Sequence, residues 1–356
     1  MFKPHIQKLV RLQTSENRDI KRGILLDRNE RVENFNEITY RKIVRSISRF
    51  SINATPDIQN LYKNLSKFFK ISKDHIYIGQ GITELMSQII FSLVKKNEEV
   101  VIMDPTYPMY EVLCKLNQVK IKKWKFNKEW LLEFNDLKKI VTKKTKVIFL
   151  VNPNLPIEFE FDKNLKNKIY KLCLKKNIIL VYDEAYYHFG SKSEIKNSTK
   201  KKNLIVMRTF SKAWGLPSIR LGFLVTNRKL CEYISKCRSL VETNALSYQI
   251  AMWALNNRKI LDNHVSQIKK GSKYIQRSLT KLNVFFKGGN VTNAVLIRLR
   301  NKKDTENLRL FMRKRKIYIR TNFKDKIENC IRISLGPVDK MKIFINEFNN
   351  WLKIGR

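Results

Sequence analysis

Lys212 is the residue around which the chemistry of this chain gathers. It lies in the stretch Arg208 to Phe223, R-T-F-S-K-A-W-G-L-P-S-I-R-L-G-F, after an apolar run, Leu204 to Met207, with Thr209 and Ser211 just before it and Arg220 eight residues beyond. An amine at the end of a buried strand, in a turn of small residues, is desolvated, loses its proton readily and can form an imine with a carbonyl group. Two hydroxyls and a guanidinium, whose fork fits a phosphate, supply the anchor that such a cofactor needs. Taken alone, S-K-x-x-G-x-x-x-x-R also describes a surface lysine in a polar turn. A second segment narrows the choice: the apolar run Ile178 to Tyr182 ends in Asp183, Glu184, Ala185 and Tyr186. Pyridoxal phosphate is an electron sink only while its ring nitrogen stays protonated, which takes a carboxylate, and Asp183 is the candidate.

Together these segments resemble the fold-type I, class I/II aminotransferases that depend on pyridoxal phosphate, and among them the histidinol-phosphate aminotransferase branch, whose D-E-A-Y and S-K-A-x-x-L-x-x-x-R motifs they match. The resemblance runs from Asn29 to Gly336. It implies that Lys212 holds pyridoxal 5′-phosphate and moves a proton as base and acid, that Asp183 partners the ring nitrogen, and that Tyr186 reaches the ring oxygen O3′. The run G-Q-G-I-T-E-L after the apolar residues His75 to Ile78 fails as a dinucleotide fingerprint, because Glu84 stands where the third glycine belongs. It matches the family's phosphate cup, with Gly81, Ile82 and Thr83 at the positive end of a helix, joined by Thr209, Ser211 and Arg220. In D-P-T-Y-P-M-Y the ring expected to stack on the cofactor is Tyr107, and in N-P-N-L-P-I-E the expected cofactor residue is Asn154. Arg320 and Arg332 match the two substrate arginines, and Asn29, in D-R-N-E, matches an arm residue that closes over the substrate. No metal ligand set is expected, and the four histidines, at 5, 75, 188 and 264, read as structural.

Three positions depart from the family pattern. Leu155 replaces the asparagine that donates to O3′, and a leucine cannot donate, so Tyr186 is left as the main O3′ partner. Thr55 stands where a tyrosine reaches the neighbouring subunit's cofactor phosphate. Arg31 and Val32 break the N-E-N-P entry of the arm, which bears on the substrate more than on the chemistry.

The elements that must position these residues alternate. Apolar runs at His75 to Ile78, Val100 to Met103, Val147 to Val151, Ile178 to Asp183, Leu204 to Arg208 and Leu221 to Thr226 are separated by helical periodicities, including Ile38 to Phe50, Ile58 to Phe69, a helix from the phosphate cup to about 95, and Leu165 to Lys176. Such alternation predicts a largely parallel α/β sheet sandwiched by helices, with ligands at the carboxyl ends of the strands, where every motif above lies. From about 247 the pattern changes to helices Tyr248 to Leu255 and His264 to Leu282, strands Ala294 to Leu299 and Ile317 to Arg320, and a closing helix Lys340 to Leu352. The expected division is an arm over 1–37, packed on the smaller domain, a large cofactor domain over 38–245 and a small α+β domain over 246–356.

The chain has 356 residues, with 72 Lys or Arg against 31 Asp or Glu and a formal charge of +41. Because the basic residues are spread along the whole chain, with no RNA- or DNA-binding signature, clusters such as Lys200 to Lys202 and Arg313 to Lys316 read as solvated faces. Five cysteines form neither a C-x-x-C pair nor an even framework, which fits reduced thiols in a cytoplasm; Cys231 and Cys237 are expected to be buried on a helix. The start, M-F-K-P-H-I-Q-K-L-V-R, holds no secretion signal, and no apolar run of about 18 residues is present. The reading is therefore an aminotransferase, homodimeric by its resemblance, that moves an amino group between an amino acid or amino-phosphate and a keto acid or aldehyde. Decarboxylation of a threonine-phosphate-like substrate on the same scaffold, and a non-catalytic basic binding protein, are the rivals.

Overall fold

The computed structural model describes residues 2–9 and 17–354, so positions 10–16 of the arm, with the ends of the chain, lie outside it. In chain order the strands are β1 (Ile24–Leu26), β2 (Ile76–Gly79), β3 (Glu99–Asp104), β4 (Lys120–Lys125), β5 (Thr145–Val151), β6 (Ile179–Asp183), β7 (Leu204–Thr209), β8 (Gly222–Val225), β9 (Phe286–Gly288), β10 (Ala294–Arg298), β11 (Ile317–Ile319) and β12 (Cys330–Ser334). Strands β2 to β8 form one seven-stranded sheet in the order β2-β8-β7-β6-β5-β3-β4. Its β3, β4, β5, β6 and β7 pair in parallel, and β8 alone runs against its neighbours β7 and β2. The inner strands β5, β6 and β7 are buried along nearly their whole length, as continuous Val, Ile and Leu runs must be when helices cover both faces. Strand β4 has the opposite character: Lys120, Lys122, Lys123 and Lys125 line it, and lysines on an edge strand discourage pairing with another chain.

The helices start on identifiable caps. Asp162 Oδ1 accepts from Leu165 N at 2.8 Å ahead of the helix Lys163–Lys175, and Asn244 and Asn301 cap Ala245–Asn256 and Lys302–Lys314 in the same way. The helix read as Ile38 to Phe50 is shorter, Glu37–Arg45. Ser46 Oγ turns back to Ile43 O at 2.6 Å, and Ser48 caps a separate 3-10 turn, Arg49–Ser51. The helix expected from His264 begins five residues earlier, at Lys259, and its first turn already buries Leu261. Cys231 is buried on the helix Arg228–Ser235, but Cys237 lies beyond that helix and is only partly buried.

The C-terminal third adds an antiparallel sheet, β12-β10-β9, and a two-stranded parallel ribbon, β1-β11. In that ribbon Ile24 pairs with Ile317 and Leu26 with Ile319. The arm is thus stitched to the C-terminal elements by backbone hydrogen bonds, which delivers Asp27 to Arg31 to the ends of the central strands. Helix Lys259–Lys281 crosses the closing helix Val338–Ile354 at Gly271, where a Cβ would lie 1.8 Å from Gly336 O, so only glycine permits that approach. No described helix is long and apolar enough to cross a membrane.

Candidate active site

Lys212 follows β7 in the turn that the sequence placed it in. Its Nζ donates to Arg28 O of the arm at 3.1 Å and lies 5.9 Å from the Tyr186 ring centre. Burial, helped by the nearby Arg332 and Arg220 cations and opposed by Glu30 and Asp183, brings the amine down to about 8. The turn is braced from outside by His264, whose Nδ1 is 2.8 Å from Ala213 O. Asp183 ends β6, in register with Met207 of β7. Burial pushes its carboxyl up to about 6 against the pull of its Tyr110 and Ala185 donors and of Lys212. Tyr110 Oη donates to Oδ2 at 2.8 Å and Ala185 N to Oδ1 at 3.0 Å. Tyr186 follows on the same loop, buried, its Oη accepting from Asn29 Nδ2 at 2.9 Å. Because that oxygen only accepts there, its own hydrogen is left to donate elsewhere.

The glycine and hydroxyl residues meet one strand over. Gly79 of β2, Gly222 of β8 and Thr209 of β7 form one row across the sheet. Beyond it, Gly81 takes φ 79°, open to glycine, and begins the helix Ile82–Leu93. A Cβ on Gly81 would sit 3.1 Å from the Arg220 guanidinium, so the missing side chain is what leaves room between helix terminus and cation. Ile82 and Thr83 are in the first turn, where backbone N–H groups have no intrahelical acceptor. Thr209 Oγ1 accepts from Ser211 N at 3.0 Å, and Arg220 Nη1 donates to Pro217 O at 3.1 Å. Glu84 accepts from Gln80 N at the helix start, a capping contact that explains a glutamate where a third glycine would stand.

Arg332 and Arg320 pair across an isolated antiparallel bridge. Ile331 and Ile333 are fully buried on one face of β12, and Arg332 turns to the other, its Nη2 donating to Asp27 O at 2.8 Å and its Nε buried without a partner. Burial, eased by Tyr186, lowers it to about 10. Asn154 and Tyr107 lie in the loops that follow β5 and β3. Asn154 does not offer its amide to the site: Nδ2 donates to Pro105 O at 3.2 Å and Ile157 O at 3.0 Å, and Oδ1 accepts from Thr106 Oγ1 at 2.8 Å. It staples the β3 and β5 loops together. Tyr107, just past the end of β3, is 45% exposed and meets Tyr110 edge to face, with ring centres 6.4 Å apart. Leu155, in contrast, is buried.

A family model, "Aminotransferase class I and II", matches residues 25–348, which spans nearly all of these elements. The chain belongs to this family. Among curated relatives, the histidinol-phosphate aminotransferase of Clostridium kluyveri is 28% identical over 99% of this chain and 99% of its own length. That of Methanocaldococcus jannaschii is 28% identical over 85% and 82%. Among solved structures, histidinol-phosphate aminotransferase from Sinorhizobium meliloti, in complex with pyridoxal-5′-phosphate, superposes with a TM-score of 0.87 at 20% identity, over 100% of this chain and 98% of that one. At that identity the likeness speaks for the fold. The protein is an aminotransferase of class I and II, similar in sequence to histidinol-phosphate aminotransferases, and the space left at Gly81 beside Arg220, with a buried lysine and a buried carboxylate, fits pyridoxal phosphate.

Sequence reasoning missed two groups in this aminotransferase. Tyr110 was visible only as the second tyrosine of D-P-T-Y-P-M-Y, and its bond to Asp183 appears once the helix Met109–Leu116 turns it toward that carboxylate. The second is an ion pair behind the site: Glu184 meets Arg208 at 2.8 Å, both almost fully buried, with the guanidinium 3.6 Å from the Tyr187 ring centre. Their adjacency at the ends of two apolar runs was the available signal. Among the described residues no cluster of His, Cys, Asp and Glu is suited to a metal.

Proposed function

We propose that this aminotransferase acts on a phosphate-bearing amine of the histidinol-phosphate class, with a 2-oxo acid as acceptor. The observation that carries the reading is the convergence on one buried amine, Lys212, of Asp183, Arg220 and Arg332. The relatives' substrate supplies the amino-phosphate class, and the buried, partnerless Arg332 Nε is a donor suited to a second anionic group, the carboxylate of the oxo acid.

Pyridoxal phosphate, when bound, supplies the carbonyl that takes up the amine and a protonated ring that accepts the electron pair left on the substrate carbon. Gly81, the amides of Ile82 and Thr83, and Thr209, Ser211 and Arg220 hold its phosphate. Asp183 keeps the ring nitrogen protonated, and a carboxyl near pH 6 is ionised at neutral pH. Tyr110 and Ala185 fix the carboxylate's direction. Tyr186 donates to the ring oxygen, and Leu155 contributes no donor there. Lys212, depressed toward neutrality, is the base that removes the substrate proton and the acid that returns it. Arg320 and Asn29 complete the substrate side.

The chain is read as an arm (1–37), a large domain (38–245) and a small domain (246–356), and as a cytoplasmic homodimer. Support for the dimer comes from apolar side chains left at the surface: Phe50 at 59%, Ile52 at 87% and Leu240 at 97% exposure. Ser48 N bonds Gln249 Oε1 at 2.6 Å, so the segments around 50 and 245 belong to one patch. The test of substrate is a screen of amine donors and oxo-acid acceptors that follows the cofactor's absorbance. Rapid conversion by histidinol phosphate with 2-oxoglutarate supports the reading; turnover of common amino acids with none of the amino-phosphate rejects it.

A further inference from the structure

The loop after β5 reads N-P-N-L-P-I-E where the family pattern is N-P-N-N-P-T-G, and besides Leu155 it departs at Ile157 and at Glu158, where the pattern has glycine. Glu158 is buried, on a turn closed by Asn154 N donating to Phe159 O at 2.8 Å. Its carboxylate faces the connection between β9 and β10. Oε2 accepts from Gly289 N at 3.1 Å, Val291 N at 3.1 Å and Thr292 Oγ1 at 2.6 Å, and Oε1 accepts from Asn290 N at 3.2 Å. Three successive amides form a concavity that suits an anion, and bonds to an ionised acceptor are the strong ones. The next residue, fully buried Asn293, donates Nδ2 to Asn29 O at 3.1 Å. Asn29 in turn has its N–H on Ser334 Oγ at 2.8 Å and its Nδ2 on Tyr186 Oη at 2.9 Å. Hydrogen bonds and one short stretch of backbone therefore run without a gap from the β5 loop to the tyrosine hydroxyl beside Lys212.

We propose that Glu158 is a positioning residue: by gathering the 289–292 turn it holds Asn293 and Asn29 in place and so sets the direction in which the Tyr186 hydroxyl donates. In the proposed function that hydroxyl is the O3′ donor and Leu155 offers none, so its direction carries more weight here than where an asparagine shares the task. The proposal rests on the reading that Tyr186 faces the cofactor ring.

Two measurements test it separately. In the cofactor-free protein, Glu158→Gln removes the charge and replaces one carboxylate oxygen by an NH₂, so that either Asn290 N or both Gly289 N and Val291 N lose their acceptor. Hydrogen exchange in the 289–291 turn should then quicken roughly tenfold or more at the amides left without one, as expected on losing a bond to a charged group. Exchange unchanged at all three overturns the clamp whatever the cofactor does. In the holoenzyme, Glu158→Gln and Asn293→Ala should each move the pH titration of the bound cofactor's absorbance upward, and neither should move it further in a Tyr186→Phe background. Shifts that persist there refute transmission through the tyrosine. Should Glu158→Gln fail to fold, Asn293→Ala cuts the same path beyond the clamp and decides the point. A Tyr186→Phe protein that titrates like the native one would overturn the cofactor-facing reading and the last link together, while the exchange result stands by itself.

Discussion

Two side chains set the protonation chemistry of the site from opposite directions. Asp183 is held near 6 by burial, and would lie higher without its donors. Tyr110→Phe removes the Oη bond, worth about 1.5 to 3 kcal/mol to a charged acceptor, or roughly one to two pH units. Since the bond favours the ionised form, its loss raises the carboxyl, and cofactor retention measured against pH should fail at correspondingly higher pH on the acid side. In the proposed function Leu155 stands at the other end of the ring. A donor restored by Leu155→Asn favours a charged O3′ and should lower the pH at which the bound cofactor's absorbance titrates by roughly one to two units, if no water already fills the role. Asn154→Ala should leave that titration in place, because the Asn154 amide is committed to the carbonyls of Pro105 and Ile157. A shift with Asn154→Ala and none with Leu155→Asn would mean that the loop has been remodelled around Asn154.

At the scale of elements, the apolar strands and the motifs at their ends were legible because each is local, whereas the short β1 and β9 and the lysine-lined β4 were not read as strands. A strand buried on both faces writes itself as an unbroken apolar run, and S-K-A-x-x-L-x-x-x-R needs only its own turn. What the sequence withheld are contacts between distant segments: Tyr110 to Asp183, 73 residues apart, Glu184 to Arg208, and Glu158 to a turn 131 or more residues away. The Ile38 to Phe50 helix was overread because apolar spacing continues past Arg45, while the serines that end the helix are ordinary residues until their hydroxyls find carbonyls and amides. The Glu184 to Arg208 pair ties the ends of β6 and β7 together. Glu184→Gln leaves the guanidinium buried without its counter-charge, an effect of about 3 to 5 kcal/mol. Denaturant unfolding of the cofactor-free protein should show it, and a loss under 1 kcal/mol, roughly that of an exposed pair, would mean that the pair is not carrying a buried charge.

At the scale of the molecule, the surface is strongly basic, with 72 cationic against 31 anionic residues, and its exposed apolar side chains include Phe50, Ile52 and Leu240. If these form the subunit contact, Ile52→Asp should shift sedimentation from dimer toward monomer; an unchanged dimer would place the contact elsewhere. The same lysine-rich chain offers many amines to an aldehyde cofactor, and the site geometry selects one of them. Reduction of the cofactor-loaded protein with borohydride, followed by peptide mapping of the whole chain, should find the cofactor on Lys212 alone, and Lys212→Ala should abolish the label while the fold is retained. A label on Lys192 or any other lysine, or one that survives Lys212→Ala at full yield, would contradict the assignment of the active site to the turn after β7.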